Sequence, residues 1–108
     1  MDMTLREVCD NAEVSRRAVQ GYEKAGLVSA SGKNERGYLL YDEDSQERIK
    51  RIRFLQQLGF TVKEIKGIID APNDVLKAAL EERVERLKEE EIHMGHLIRK
   101  AYELIEKL

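Results

Sequence analysis

A repeating apolar pattern near the carboxyl end constrains the fold of this 108-residue chain more than any other feature. No proline interrupts residues 73–108, so this segment is predicted to form one helix of up to about 54 Å, at about 1.5 Å per residue. Residues with the spacing of a heptad seam recur along it in steps of four and three. These residues are Leu80, Val84, Leu87, Glu91, Met94, Ile98, Ala101, Ile105 and Leu108. Because a lone helix cannot cover such a stripe, we expect a second helix to pack on it.

The acidic residue of this seam indicates how two copies would pair. In a parallel homodimer, Glu91 would face its own copy, and two like charges would meet in the seam. In an antiparallel homodimer that crosses at Met94, Glu91 instead lies near Leu97 of the partner subunit, which separates the two carboxylates. The sequence therefore predicts an antiparallel coiled-coil homodimer.

Two short helices joined by a tight turn are predicted at the amino end. Thr4 and Glu7 have the spacing of a capping box, and apolar residues follow at helical spacing. Ser15 is predicted to cap a second helix that begins at about Arg16, and Gly26 is expected to end it in the left-handed conformation. Two helices in this arrangement are typical of a helix-turn-helix.

The sequence period changes between Leu27 and Tyr41. A polar, turn-rich stretch, SASGKNERG, lies between LVSA and YLLY. This pattern predicts a short β-hairpin with residues 33–36 at its tip.

Two further helices are predicted between the hairpin and the long helix. The first is capped by Asp42 and ends at Gly59, and the second begins with another capping box, from Thr61 to Glu64. Asn73 follows a break at Ala-Pro and is predicted to cap the long helix.

Composition excludes several classes of protein. Charged residues make up 37% of the chain and aromatic residues only 6%, which is typical of a helix-rich protein with a modest core. No stretch approaches the roughly 20 apolar residues of a membrane span, and one cysteine cannot form an internal disulfide, so we expect a cytoplasmic protein with no membrane partner. No catalytic triad, glycine-rich phosphate loop or pair of buried acids is present, so we expect no enzyme.

Neither charge nor metal chemistry assigns a function. The net charge is −2, and the first 70 residues carry 12 basic and 12 acidic residues, so no strongly basic domain exists. Cys9 lies on an apolar helix face and is expected to be a buried structural thiol. His93 and His96 are expected on the outer face of the coiled coil with no cysteine nearby, so we expect no metal and no other cofactor.

Four stretches carry a resemblance to a known family. They are TLREVCDNAEVSRRAVQGYEKAGLV, RGYLLYDED, RIRFLQQLGFTVKEIKGIID and the terminal coiled coil. In these the chain resembles the MerR family of bacterial transcription regulators. The resemblance implies a dimeric winged-helix protein that binds a pseudo-palindromic promoter with an overlong spacer, then bends and untwists it. RNA polymerase would be affected indirectly, through the shape of the DNA.

The resemblance places the first group of DNA contacts on the second helix. Arg16 and Arg17 are expected to reach a guanine edge or a phosphate, with Ser15 and the free amides of the first turn as phosphate donors. Gln20 could face a base edge or solvent equally well. Tyr22 matches a tyrosine whose hydroxyl is expected on phosphate, with a place in the core as the alternative.

The wing supplies the second group of contacts. Lys33 and Arg36 lie where wing residues of the family approach the DNA backbone. Tyr38 and Tyr41 match the aromatic positions of the second wing strand, where packing is expected ahead of direct contact.

The chain departs from the family pattern at four positions. The family has arginine and tyrosine where Gln20 and Gly21 stand, arginine at Leu39, and glycine at Glu13. These losses are expected to weaken the phosphate contacts or to move them onto other arginines. They also leave an alternative function open: a degenerate member whose coiled coil binds a partner protein while DNA binding is residual.

The sequence thus predicts a mainly α protein with two domains. Residues 1–70 form a winged helix-turn-helix with a small β-hairpin wing, and residues 71–108 form a long antiparallel coiled-coil dimerisation helix. The predicted partners are double-stranded promoter DNA and a second copy of the chain. No effector domain follows the coiled coil in this sequence, so we expect the DNA-binding part of a longer protein or a minimal regulator.

Overall fold

The computed structural model describes all residues from 1 to 108 and contains five helices and three short strands. In chain order these are β1 (Met3–Thr4), α1 (Leu5–Ala12), α2 (Arg16–Lys24), β2 (Gly32–Lys33), β3 (Leu39–Tyr41), α3 (Glu43–Leu58), α4 (Val62–Ile68) and α5 (Asn73–Lys107). The chain divides into two compact units, Met1–Asp70 and Ala71–Leu108. The mainly α class with a small sheet is confirmed.

Side-chain caps begin four of the helices where the sequence predicted them. The confirmed N-caps are Thr4, Ser15, Asp42 and Thr61. The predicted end of α2 is also confirmed, since Gly26 has a φ of 76°. There the Leu27 N–H donates to the Tyr22 carbonyl at 2.9 Å, and the Gly26 N–H donates to the Glu23 carbonyl at 3.0 Å. These two bonds satisfy carbonyls that the last turn would otherwise leave unpaired.

The predicted cap of α5 is wrong by one residue. Asn73 is the first helical residue, and Pro72 is the N-cap, with no side-chain hydrogen bond. The Pro72 carbonyl accepts the N–H of Val75 at 2.9 Å, so the backbone alone begins this helix. Proline suits this place because an N-cap needs an acceptor carbonyl and no helical N–H donor.

The predicted hairpin is present, but it belongs to a three-stranded antiparallel sheet in the order β1-β3-β2. Thr4 and Gly32 pair with Leu40 from opposite sides. The wing turn depends on Asn34, whose Oδ1 accepts the N–H groups of Arg36 and Tyr38, both at 3.0 Å. The sequence did not predict β1, because two residues are too short to show an alternating pattern.

The core of the first unit is formed by side chains from all four of its helices and from β3. The largest fully buried side chains are Val8, Val19, Tyr22, Tyr41, Ile49, Ile52, Leu55 and Ile65. Gln46 is the buried polar residue of this unit, and its amide donates to the Tyr41 carbonyl at 2.8 Å. This bond satisfies a buried carbonyl at the junction of β3 and α3.

The second unit consists of α5, which contains no buried residue. The seam side chains in its carboxyl half are open to solvent; Met94, Ile98 and Ile105 are 59%, 56% and 60% exposed. Exposed apolar side chains in a heptad row are typical of a coiled-coil surface.

Candidate nucleic-acid interface

The outer face of α2 presents a continuous row of small, polar and basic positions. Val19 and Tyr22 point into the core and are 0% and 1% exposed. The opposite positions are all exposed, and these are Arg16, Arg17, Gln20, Gly21 and Lys24. The last four follow the i, i+3, i+4, i+7 spacing of one helix face. Lys24 was missed by the sequence analysis, although its spacing of seven residues from Arg17 could have identified it.

The start of α2 carries positive charge that no acidic residue of the first turn neutralises. Arg16 and Arg17 are exposed there, at the end of a helix where cations are unfavourable for stability. Ser15 Oγ accepts the Ala18 N–H at 3.0 Å, which leaves the hydroxyl proton for an external acceptor. This end of α2 is therefore suited to an anion or to an electron-rich base edge.

The wing presents a second exposed group of residues. Lys33 ends β2, Arg36 lies in the turn, and Tyr38 is 57% exposed. Gly37 follows Arg36 with a φ of 81°, a conformation that a side chain would disfavour. The turn therefore projects Arg36 and Tyr38 from a defined backbone shape.

One groove brings part of the wing and part of α2 together. Its volume is about 550 Å³, and it is lined by Thr4, Leu5, Arg6, Arg16, Gly37, Tyr38 and Leu39. Two residues predicted from different elements, Arg16 and Tyr38, thus share one concave surface. Leu39, where the family pattern has arginine, lies in the same groove and is 37% exposed.

The structure places the other two predicted tyrosines in the core, which is the alternative given for Tyr22 and the packing expected first for Tyr41. Tyr22 donates its hydroxyl to Gln56 Oε1 on α3, and Tyr41 donates its hydroxyl to Glu23 Oε1 on α2. Burial raises the pKa of Tyr22, and burial together with the bond to Glu23 raises the pKa of Tyr41. Both hydroxyls are enclosed, so they position α2 against α3 and β3 and do not face outward.

Arg48 of α3 stabilises the exit from α2. Its Nε donates to the Leu27 carbonyl, directly after Gly26. Its two terminal nitrogens donate to the two oxygens of Asp70, both at 2.7 Å. This paired hydrogen bond from Arg48 lowers the pKa of the Asp70 carboxyl. The guanidinium thus joins segments that are 21 and 22 residues away in sequence.

The turn between α1 and α2 has a strained residue. Glu13 has a φ of 52° and a ψ of 49°, and it is the one residue other than glycine with a positive φ. The family pattern has glycine there, which adopts this conformation without a Cβ penalty. Cys9 on α1, the helix before this turn, is half-buried, and burial raises the pKa of its thiol.

Two sequence-family comparisons match these elements. The family described as MerR HTH family regulatory protein matches residues 3–72, and the family described as MerR, DNA binding matches residues 46–104. The chain belongs to the MerR family. It therefore contains a MerR-type DNA-binding domain, and the regulators in this family are transcription factors and not enzymes.

A curated relative and two solved structures extend this likeness. The chain is 33% identical over 98 residues to the HTH-type transcriptional activator mta of Bacillus subtilis (strain 168), a match that covers 91% of this chain and 38% of the activator. It is similar to the structure of MtaN, the N-terminus of the Bacillus subtilis multidrug transporter activator, with 30% identity, a TM-score of 0.70, and coverage of 95% and 97% of the two chains.

The second structure is that of HiNmlR, a MerR family regulator that lacks the sensor domain and is bound to promoter DNA. The TM-score is 0.75 at 18% identity, and the match covers 91% of this chain and 79% of HiNmlR, so it supports the fold alone. Within the present chain, no three His, Cys, Asp or Glu side chains are grouped to hold a metal ion. None of its helices combines the length and the apolar character that crossing a bilayer requires.

Proposed function

We propose that this MerR-family protein binds a pseudo-palindromic promoter site as an antiparallel homodimer and distorts the DNA. The observation that carries the proposal is the outer face of α2, where Arg16 and Arg17 are exposed without an acidic neighbour in the first turn. The exposed wing lies beside this face, because Arg16 and Tyr38 line one groove. A helix in the major groove with a wing on the backbone uses both surfaces at once.

Specific roles follow from the chemistry of each side chain. Arg16 and Arg17 are proposed to bind guanine edges or phosphates, and Lys33 and Arg36 to bind backbone phosphates. Ser15 donates its free hydroxyl proton to a phosphate oxygen. Gln20 lies on the same outer face, where an amide can pair with an adenine edge.

The proposed dimer rests on α5. Its seam is exposed in a single copy, with Val84 at 42% and Leu108 at 96%. Antiparallel pairing about Met94 would cover this seam and keep the two Glu91 carboxylates apart. Two copies related by a twofold axis would present two α2 helices to an inverted repeat, with half-sites one helical turn, or about 34 Å, or a multiple of it apart.

The proposed mode of action is a change in the shape of the promoter. Distorting an overlong spacer would realign the elements that RNA polymerase contacts, so the polymerase would be affected without a direct contact. The protein would act in the bacterial cytoplasm. The chain spans 38% of the length of the mta activator.

Selection of bound duplexes from a random pool tests the DNA half of the proposal. We expect the selected pool to converge on an inverted repeat that is bound by two copies of the chain. A pool that stays random would contradict it. That result, with a stable dimer and no affinity for DNA at about 0.1 M salt, would instead support the coiled-coil interaction module.

Disulfide crosslinking tests the dimer half of the proposal. In a Cys9→Ser background, the pair Val84→Cys and Leu104→Cys is expected to crosslink between copies, because these positions are equidistant from Met94. Glu91→Cys alone serves as the parallel control and is expected to stay uncrosslinked. Efficient crosslinking of Glu91→Cys to itself, without the other pair, would contradict the antiparallel arrangement.

A further inference from the structure

The groove between α1, α2 and the wing differs in charge from two other grooves on the first unit. Seven residues line this groove. None of them is acidic, and two are arginines, Arg6 and Arg16. Two other grooves lie beside α3. One contains Asp44 and Glu47 together with three basic residues, and the other contains Glu23 and Asp44 together with one. The groove that Arg6 and Arg16 share is therefore the one of these three in which basic residues have no acidic residue beside them, which favours an anion.

Arg6 contributes a free positive charge to this groove. Its side chain is exposed and forms no ion pair or hydrogen bond. The adjacent acid forms no ion pair with it: Glu7 Oε1 instead accepts hydrogen bonds from Thr4 N at 3.1 Å and Thr4 Oγ1 at 3.0 Å. Arg48, in contrast, has its guanidinium paired with Asp70.

The position of Arg6 is also unfavourable for the stability of α1. It lies in the first turn of α1, where a positive charge is unfavourable toward the helix dipole. Arg16 has the same unfavourable place in α2. Two arginines without an ion pair, each in the first turn of a different helix, thus line one groove next to the wing.

We infer that Arg6 is a further DNA-contacting residue. Together with Arg16, it binds a backbone phosphate that lies between α1 and the wing. The inference rests on the proposed DNA-binding function and adds a contact on α1, outside α2 and the wing. A guanidinium can donate two parallel hydrogen bonds to one phosphate. Phosphates are the same at every base pair, so the contact contributes affinity that is independent of sequence.

Salt titration of Arg6→Ala tests this inference on the duplex that the wild type selects and on an unrelated duplex of the same length. One phosphate contact contributes about 0.9 to the magnitude of the slope of log affinity against log salt. Because Arg16 stays on the same phosphate, loss of Arg6 from two copies should reduce this magnitude measurably, by at most about 1.8. The loss should be equal on both duplexes. Arg51→Ala is the matched control, since Arg51 is exposed on α3 in a groove that contains acids. It should leave the slope unchanged.

Two more variants separate loss of contact from loss of fold. Arg6→Gln keeps a good helix former and should behave like Arg6→Ala in binding, with a thermal transition at or above that of the wild type. Leu39→Arg in the Arg6→Ala background returns a cation to the same groove and should restore most of the slope. No rescue, or an equal slope loss in Arg51→Ala, would overturn the inference.

The outcome also distinguishes this inference from the function on which it rests. If Arg6→Ala binds like the wild type while Arg16→Ala with Arg17→Ala is impaired, Arg6 makes no contact and the proposed function stands. If the wild type binds neither duplex, the proposed function fails and this inference fails with it.

Discussion

Replacing Tyr41 by phenylalanine should destabilise the first unit and weaken the contact between β3 of the wing and α2. Tyr41 is 0% exposed, and its hydroxyl donates to Glu23 on α2, so the variant leaves a carboxylate oxygen without its buried donor. A hydrogen bond to a charged group contributes about 1.5–3 kcal/mol. For a unit of this size, a loss of about 2 kcal/mol lowers the melting temperature by roughly 10 °C.

Thermal and urea unfolding followed by circular dichroism would measure this loss. Tyr38→Phe removes the same atom from a side chain that is 57% exposed and is therefore the matched control, expected within about 0.5 kcal/mol of the wild type. If Tyr41→Phe is as stable as Tyr38→Phe at neutral pH, the bond to Glu23 is not a stabilising one. A Glu23→Gln cycle with Tyr41→Phe would then show no coupling.

The pH dependence gives a second test of the same hydrogen bond. Burial and the bond to Glu23 raise the pKa of Tyr41, so folding favours the neutral hydroxyl. This stabilisation is fully present below the ordinary tyrosine pKa of about 10 and is lost as the pH rises above it. The difference in free energy of unfolding between wild type and Tyr41→Phe should therefore shrink above about pH 10. A constant difference between pH 9 and pH 11, roughly one unit either side of that pKa, would contradict this explanation.

Gly21, Glu13 and Glu91 are residue types that their local structure disfavours: a glycine within a helix, a left-handed residue other than glycine, and an acid in an apolar seam. A Cβ at Gly21 would meet nothing within 4 Å, so Gly21→Ala should raise the free energy of unfolding by up to about 1 kcal/mol. In gel shifts, Gly21→Tyr should bind the selected duplex more tightly than Gly21→Ala. Glu13→Gly should raise the free energy of unfolding by about 1 kcal/mol in urea titrations, because it removes a left-handed non-glycine residue. Glu91→Leu should tighten the dimer by roughly a hundredfold in sedimentation equilibrium, through burial of two leucines, whereas Glu89→Leu, outside the seam, should change it little. Unchanged dimer affinity in Glu91→Leu would place residue 91 outside the interface.

Much of the first unit could be predicted from the sequence because its helix ends are set by local interactions. Thr4, Ser15 and Thr61 cap helices through atoms only three residues away, and a pattern within four residues is enough to identify them. Strand β1 was missed because it pairs across the chain, with Met3 opposite Tyr41. Two residues contain no periodic signal of such a partner.

The candidate site shows the same division between local and distant contacts. The exposed face of α2 follows from helical spacing, so Arg16 and Arg17 could be placed from sequence. Tyr22 and Tyr41 could not, because their hydroxyls bond to residues 34 and 18 positions away, and only the fold decides whether a tyrosine points inward. Arg6 was missed for a related reason: α1 meets the wing only in three dimensions.

Whether the outer face of α2 binds DNA is decided by the salt dependence of binding to the selected duplex. The measurement compares wild type with Arg16→Ala plus Arg17→Ala from about 50 mM to 200 mM salt, with Arg99→Ala plus Lys100→Ala on α5 as the control for charge. Wild-type affinity should fall steeply with salt. The α2 variant should bind more weakly or with less selectivity, and the α5 control should bind like the wild type. Identical binding by all three proteins would contradict DNA binding by this face.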